Sequence, residues 1–292
     1  VKLKTLYPLR AAICAGFVSF LALATSCTKN EEENTPAKSD SVYLPVVVYN
    51  SNASIDSFVY NSDNTVSTAF YGYASGVYHE RFQLAYNSAG QCNRISYSGL
   101  TDNPGGRYDS IVYAANGEVT IYRRYPAPSS FDRILRLKLN NDGAFIGFSM
   151  DTVMSNTTSL KAFKWDMITN GGNVTQYDEK YLKDGSNGGL VESRVSTKFT
   201  YDQRPGSLRD FFRKNPIMQM ILGYDHFDAL LYTASVNNIN GVSVSDNGST
   251  YQTYPVVNTY DEKTGQLIKQ VFTQNNTQWR TCTISYKKVA AK

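Results

Sequence analysis

The segment VESRVSTKFTY (191–201) decides the fold. In an extended chain Val191, Ser193, Val195, Thr197, Phe199 and Tyr201 share one side, and Glu192, Arg194, Ser196, Lys198 and Thr200 share the other. A period of two with one apolar and one charged side marks a strand of an antiparallel sheet that is dry on one face and wet on the other. Residues 133–139 repeat the pattern, with Leu135, Leu137 and Leu139 opposing Arg136 and Lys138.

Outward from that strand the chain shows a longer period. Anchors at Tyr60, Tyr86, Tyr113, Leu139 and Trp165 are spaced 26, 27, 26 and 26 residues apart, and each precedes a polar turn: NSDN, NSAG, AANG, NNDG and DMITNGG. Further copies stand at Tyr201 (DQRPG) and Tyr260 (DEKTG). Asn and Gly at such turns tolerate the positive φ that tight hairpins require. At about 3.3 Å per strand residue, one such unit is two strands and two turns. The whole reads as an all-β meander of about 14–16 strands. A sheet that long must curl, as a barrel or a strongly curved sheet, and closure removes its exposed edges. One irregular insertion, 207–235, carries Phe211, Phe212, Ile217, Met218, Ile221 and Leu222. It is expected to be a helix or packed loop that caps or plugs the dry face, as core filling rather than a ligand pocket.

The N-terminus reads as an address. Lys2, Lys4 and Arg10 precede the apolar run AAICAGFVSFLALA (11–24). That run is shorter than the roughly 20 residues a membrane span needs and has the layout of a secretory signal. Two cleavage readings compete: Ala22-Leu23-Ala24 fits the small-x-small site of ordinary signal peptidase, while Ala24-Thr25-Ser26-Cys27 resembles a lipobox. The polar stretch behind the cysteine favours the second, which makes 1–26 a signal peptide and Cys27 the lipid-bearing residue. Residues 28–40, TKNEEENTPAKSD, are too polar to order themselves and read as a tether, 27–40 with the cysteine, ahead of one hairpin-repeat domain, 41–292. The Cys27-Thr-Lys-Asn-Glu-Glu-Glu run resembles the acidic export signal of Bacteroidetes surface lipoproteins. That resemblance implies an outer-membrane location facing outward, with a periplasm-facing placement as the alternative.

Charge and composition exclude several roles. The chain has 29 basic and 25 acidic residues; the segment 1–26 holds three of the basic ones and none of the acids, so the remainder carries only about +1. That leaves no electrostatic footprint for nucleic acid. Two of four cysteines, Cys92 and Cys282, fall in the β domain. Strand alternation groups Cys282 with Ile284 and Tyr286 but Cys92 with Arg94 and Ser96. The thiols are therefore expected on opposite faces, which argues against a disulfide.

The hairpin turns resemble the YD-type repeats of bacterial surface proteins. Phe199-Thr-Tyr201-Asp202, Asn215-Pro216, Asn237-Asn238-Ile239 and Tyr260-Asp261 with Gly265 resemble a Bacteroidetes outer-membrane lipoprotein family of unknown function. The resemblance implies a porin-like, many-stranded antiparallel fold, and it brings no activity or catalytic residues with it.

Site chemistry is sparse. No nucleophile elbow, zinc-protease helix, Cys-x-x-Cys pair or phosphate-cradling loop occurs. His79 stands beside Glu80 on a strand, and His226 lies between Asp225 and Phe227 in the insertion. Asp102, Asp109 and Asp142 are expected in turns for backbone reasons. Asp40-Ser41-Val42, Asp109-Ser110-Ile111 and Asp151-Thr152-Val153 resemble the O-glycosylation triplets of Bacteroidetes exported proteins. No catalytic residue, metal or cofactor is predicted. Exposed aromatics stacking on sugar rings are the sharpest binding hypothesis, with Tyr71, Tyr73, Tyr78, Tyr122, Tyr125 and Trp279 as candidates; the competing reading makes them cross-strand pairs.

Three functions follow. The first is a non-enzymatic, lipid-anchored binding or accessory module for a glycan, peptide or envelope protein. The second is a structural or assembly component of the outer membrane, which a closed barrel with a filled interior and polar exterior would favour. The third is a hydrolase with an unrecognised site. An integral porin is disfavoured, because charged residues populate the second face where lipid would require an apolar band.

Overall fold

The computed structural model describes residues 41–291 except 52–53, 74–77, 100–105, 125–131, 142, 155–161, 185–189, 223–233 and 247. The segments expected to be a signal peptide (1–26) and a lipidated tether (27–40) lie outside the described residues, as do Tyr125, His226, Asp102 and Asp142.

The strands are β1 (Ser41–Asn50), β2 (Ser54–Tyr60), β3 (Val66–Tyr73), β4 (Tyr78–Tyr86), β5 (Cys92–Gly99), β6 (Tyr108–Tyr113), β7 (Glu118–Arg124) and β8 (Asp132–Leu139). They continue as β9 (Phe145–Met154), β10 (Ala162–Asn170), β11 (Asn173–Asp184), β12 (Leu190–Pro205), β13 (Asn237–Asp246), β14 (Ser249–Tyr260), β15 (Leu267–Gln274) and β16 (Thr277–Ala290). Each pairs with its sequence neighbours, and β1 pairs antiparallel with β16, so the meander closes into a barrel. Closure is the outcome expected of a long antiparallel sheet whose free edges would otherwise template aggregation.

The polar turns do what their composition requires. In NSDN, NSAG, AANG and NNDG the first residue donates to a carbonyl four positions on, and the fourth donates back to the first. The fourth residue is left-handed, Asn64 at φ 70° and Gly90 at φ 75°, a conformation open at low cost to Gly and Asn.

The dry face points inward. Val66, Ile95, Val119, Ile121, Leu135 and Leu137 are buried and belong to one continuous core. The β12 segment behaves as its pattern demands: Thr197 and Phe199 are buried while Arg194, Lys198 and Thr200 are exposed. The insertion supplies two short helices, α1 (Arg209–Lys214) and α2 (Pro216–Met220), which plug one end of the barrel. Phe211 packs against Phe58 with tilted rings, centroids 5.1 Å apart, and edge-on against Phe212 at 4.9 Å.

Outside, the described strands present Lys, Arg, Ser and Thr. Among the described residues the large exposed apolar side chains are Tyr49, Val59, Val112, Tyr122, Ile168 and Val257, one on each of six of the sixteen strands, where a lipid-facing band would need them on every strand.

Candidate functional site

The repeat anchors form a girdle at the plugged end. The Tyr86 hydroxyl donates to the Val66 carbonyl (2.7 Å), Tyr113 to Cys92 (3.0 Å), Tyr201 to Val174 (2.7 Å) and Tyr286 to Leu267 (2.9 Å), while Tyr60 donates to Pro45. Each bond ties the end of an even-numbered strand to the start of the strand before it. Burial pushes the phenols of Tyr60, Tyr86, Tyr113 and Tyr286 well above their ordinary value. Tyr260 departs from the pattern and donates to Asp202, which also accepts from the Asn258 amide. Two strands have no anchoring phenol: β8 ends in Leu139, and on β10 it is Met167 that packs against the core. The side chain of Trp165 lies outside the described residues.

The residues behind the family resemblance fasten the plug. Asn215, buried between α1 and α2, accepts from the Val66 amide at 2.7 Å and donates to the Phe211 carbonyl at 3.0 Å. Asn238 accepts from the Ser207 amide and donates to the Pro205 carbonyl.

A charged cluster sits inside the wall. Arg123, 1% exposed, makes two 2.9 Å bonds to the carboxylate of Asp109, 0% exposed, and the Tyr97 hydroxyl donates to the same carboxylate at 2.6 Å. Arg107 lies 3.7 Å over the Tyr97 ring. Asp109 is thus not the turn residue expected from its sequence neighbours: it points into the core from β6, directly opposite Arg123 on β7. Its burial also hides the acidic member of the Asp109-Ser110-Ile111 triplet. Alternation held the signal, since Asp109 shares a side with Ile111, and Arg123 shares one with Val119 and Ile121. Opposite charges on facing apolar sides of adjacent strands predict a buried pair.

The cysteines require a second correction. Cys92 is buried in the core, not on the wet face with Arg94. Tyr86 pairs with Cys92 and Ala85 with Arg94, so Asn93 is an extra residue in a bulge that inverts the alternation. Cys282 is buried too, and no disulfide joins the two. Burial pushes the Cys92 thiol up to about 12.

The candidate stacking residues are not brought together among the described side chains. Tyr71 is half-buried against the core. Trp279 packs on Tyr254 at 4.7 Å and on Phe272 at 6.5 Å. Tyr122 is 38% exposed on the outer face. The side chains of Tyr73 and Tyr78 lie outside the described residues, and His79 is half-buried on β4. Among the described residues no three His, Cys, Asp or Glu side chains group to hold a metal.

Two hollows were not foreseen. On the outer face of β11–β13 a polar cleft of about 540 Å³ is lined by Gln176, Arg194, Ser196, Lys198, Ser243 and Thr250 among others. Below it Asp178 takes hydrogen bonds from Ser196, Gln176 and Arg194. Burial alone would raise this carboxyl, but those three donors outweigh it and hold the acid below its ordinary range. At the plugged end a cavity of about 210 Å³ lies between α2 and the β4–β8 wall, with Leu84, Cys92, Leu139, Ile217 and Met218 in its lining and Arg213 and Lys214 at its edge.

No protein-family model and no curated protein matches the chain. Among solved structures it is similar to a porin-like protein from Bacteroides vulgatus ATCC 8482. That match has a TM-score of 0.51 and 10% identity, covering 83% of this chain and 98% of the other. At that identity the likeness is one of fold: a many-stranded antiparallel β barrel.

Proposed function

We propose that the protein is a non-enzymatic binding or accessory module of the outer membrane, held by a lipid on Cys27, whose barrel is a rigid body rather than a channel. The observation that supports this is the polarity of the wall. A conducting transmembrane barrel has an apolar exterior and a wet lumen; here the apolar side chains and the helical plug fill the inside, and Lys, Arg, Ser and Thr cover the outside. With an anchor supplied by Cys27, the strands need no contact with lipid, and binding falls to the outer surface and the hollows at its edge. The same filled core supports a second reading, a spacer or assembly component that takes no ligand.

The experiment has two arms. Metabolic palmitate labelling and membrane fractionation of the full chain should give a labelled, membrane-bound protein, and Cys27→Ala should abolish both. A glycan, peptide and envelope-protein binding screen separates the module from the spacer. Labelling without any bound partner leaves the spacer; no labelling and steady conductance in planar bilayers sink the proposal.

A further inference from the structure

The girdle of tyrosines breaks at β8 and β10, and a cavity opens beside the break at β8. Across the successive turns Tyr60 pairs with Val66, Tyr86 with Cys92, Tyr113 with Val119 and Leu139 with Phe145. The Tyr86 and Tyr113 hydroxyls each reach back to the residue paired with the preceding anchor, Val66 and Cys92. By the same step a phenol at position 139 would reach the carbonyl of Val119. Leucine stops short of it, and Leu139 lines the cavity that remains. Met218 and Ile217 of α2 form the opposite wall, and both are buried.

Size and charge specify what fits. A dry cavity of roughly 150 Å³ takes a benzene ring, so about 210 Å³ suits an aliphatic chain of roughly six to eight carbons by the same measure. The side chains of Leu84, Leu139, Ile217 and Met218 offer such a chain apolar contact in a lining that is mostly apolar. The edge is cationic. Lys214 lies in the field of Asp63, and Arg213 is the second cation, both exposed to solvent at the end of α1. Arginine presents a fork of donors matched to a carboxylate.

We infer that this cavity binds an amphiphilic anion, a medium-chain carboxylate with its tail between Leu139 and Met218 and its head at Arg213. The inference deepens the binding-module reading and rests on it.

Calorimetric titration of the full chain with octanoate tests it, with octanol and butyrate as controls for head and tail. Octanoate should bind, octanol about tenfold more weakly and butyrate not measurably, the head and tail each adding affinity. Arg213→Gln should reduce octanoate to the octanol level. Leu139→Tyr should fill the gap, abolish binding and leave the melting temperature equal or higher; Met218→Trp provides a second filled cavity should the first variant fold poorly. Equal binding of octanoate and octanol, binding that survives both filled variants, or no binding of octanoate would each overturn the inference. If octanoate fails while a glycan, peptide or envelope protein binds in the screen above, the binding-module reading stands and only this ligand assignment falls.

Discussion

The hydroxyl of Tyr86 donates to the carbonyl of Val66 across 2.7 Å, joining the end of β4 to the start of β3. The contact spans 20 residues, and the same latch recurs at Tyr60, Tyr113, Tyr201 and Tyr286 around the plugged rim. Tyr86→Phe removes one latch and keeps the ring. Such a hydrogen bond contributes about 1 kcal/mol net; the variant should lose that much in urea denaturation with an unchanged slope. No change in midpoint would show that the latch is idle.

The buried phenols predict alkaline sensitivity. Their folded pKa values are raised by burial above the unfolded value near 10. The stability they contribute is complete below about pH 10 and is lost as pH rises, because the unfolded chain releases its phenolic protons first. Above that point each should cost roughly 1.4 kcal/mol per pH unit. Urea midpoints measured from about pH 8 to about pH 11.5 check this, and a Tyr→Phe variant at one of the four positions should flatten the fall.

Arg123 and Asp109 are both withdrawn from water. Removing one partner leaves an uncompensated buried charge, so Asp109→Asn should destabilise the barrel by about 3–5 kcal/mol. Replacing both, Asp109→Leu with Arg123→Met, should cost much less, since the penalty of the first change is the orphaned guanidinium. A double variant as unstable as the single one would mean that Tyr97 and Arg107 depend on the pair for their positions.

Asn215 joins the plug to the wall through Val66 and closes the end of α1 through Phe211. Asn215→Ala leaves the Val66 amide without this acceptor at a cost of about 1–3 kcal/mol. Hydrogen exchange should register the loss first at the plug and the β3 edge.

Neither core thiol should react in the native state. With Cys14 and Cys27 replaced by serine, Ellman's reagent at about pH 8 should detect no fast thiol before denaturation, since reactivity follows the thiolate. Both thiols should appear once the chain unfolds.

Much of the fold is legible in the sequence because strand alternation is a local property. Val195, Thr197 and Phe199 on one side and Arg194 and Lys198 on the other establish a half-buried strand without reference to the rest of the chain. The Asn-Gly turns do the same for hairpins, and the apolar cluster at 211–222 announces a plug. The stacking aromatics were harder to place. Tyr71 and Trp279 carry the same local signal whether they face a sugar or a core, and only the closed barrel puts Phe272 and Tyr254 beside Trp279.

Cys92 and Asp109 mark the boundary between the two kinds of information. A single bulge residue, Asn93, inverted the face of Cys92, and a bulge is set by the pairing of two strands, not by either one. Asp109 acquired its role from Arg123, a partner on the next strand. The sequence by itself determined strands, turns, their order and the polarity of each face, all of which depend on residues within one hairpin. The tertiary structure decided closure through β1 and β16, which side of the wall each charge would occupy, and where Leu139 would leave a gap. Those depend on contacts between residues distant in the chain, whose energy exists only once the barrel has formed.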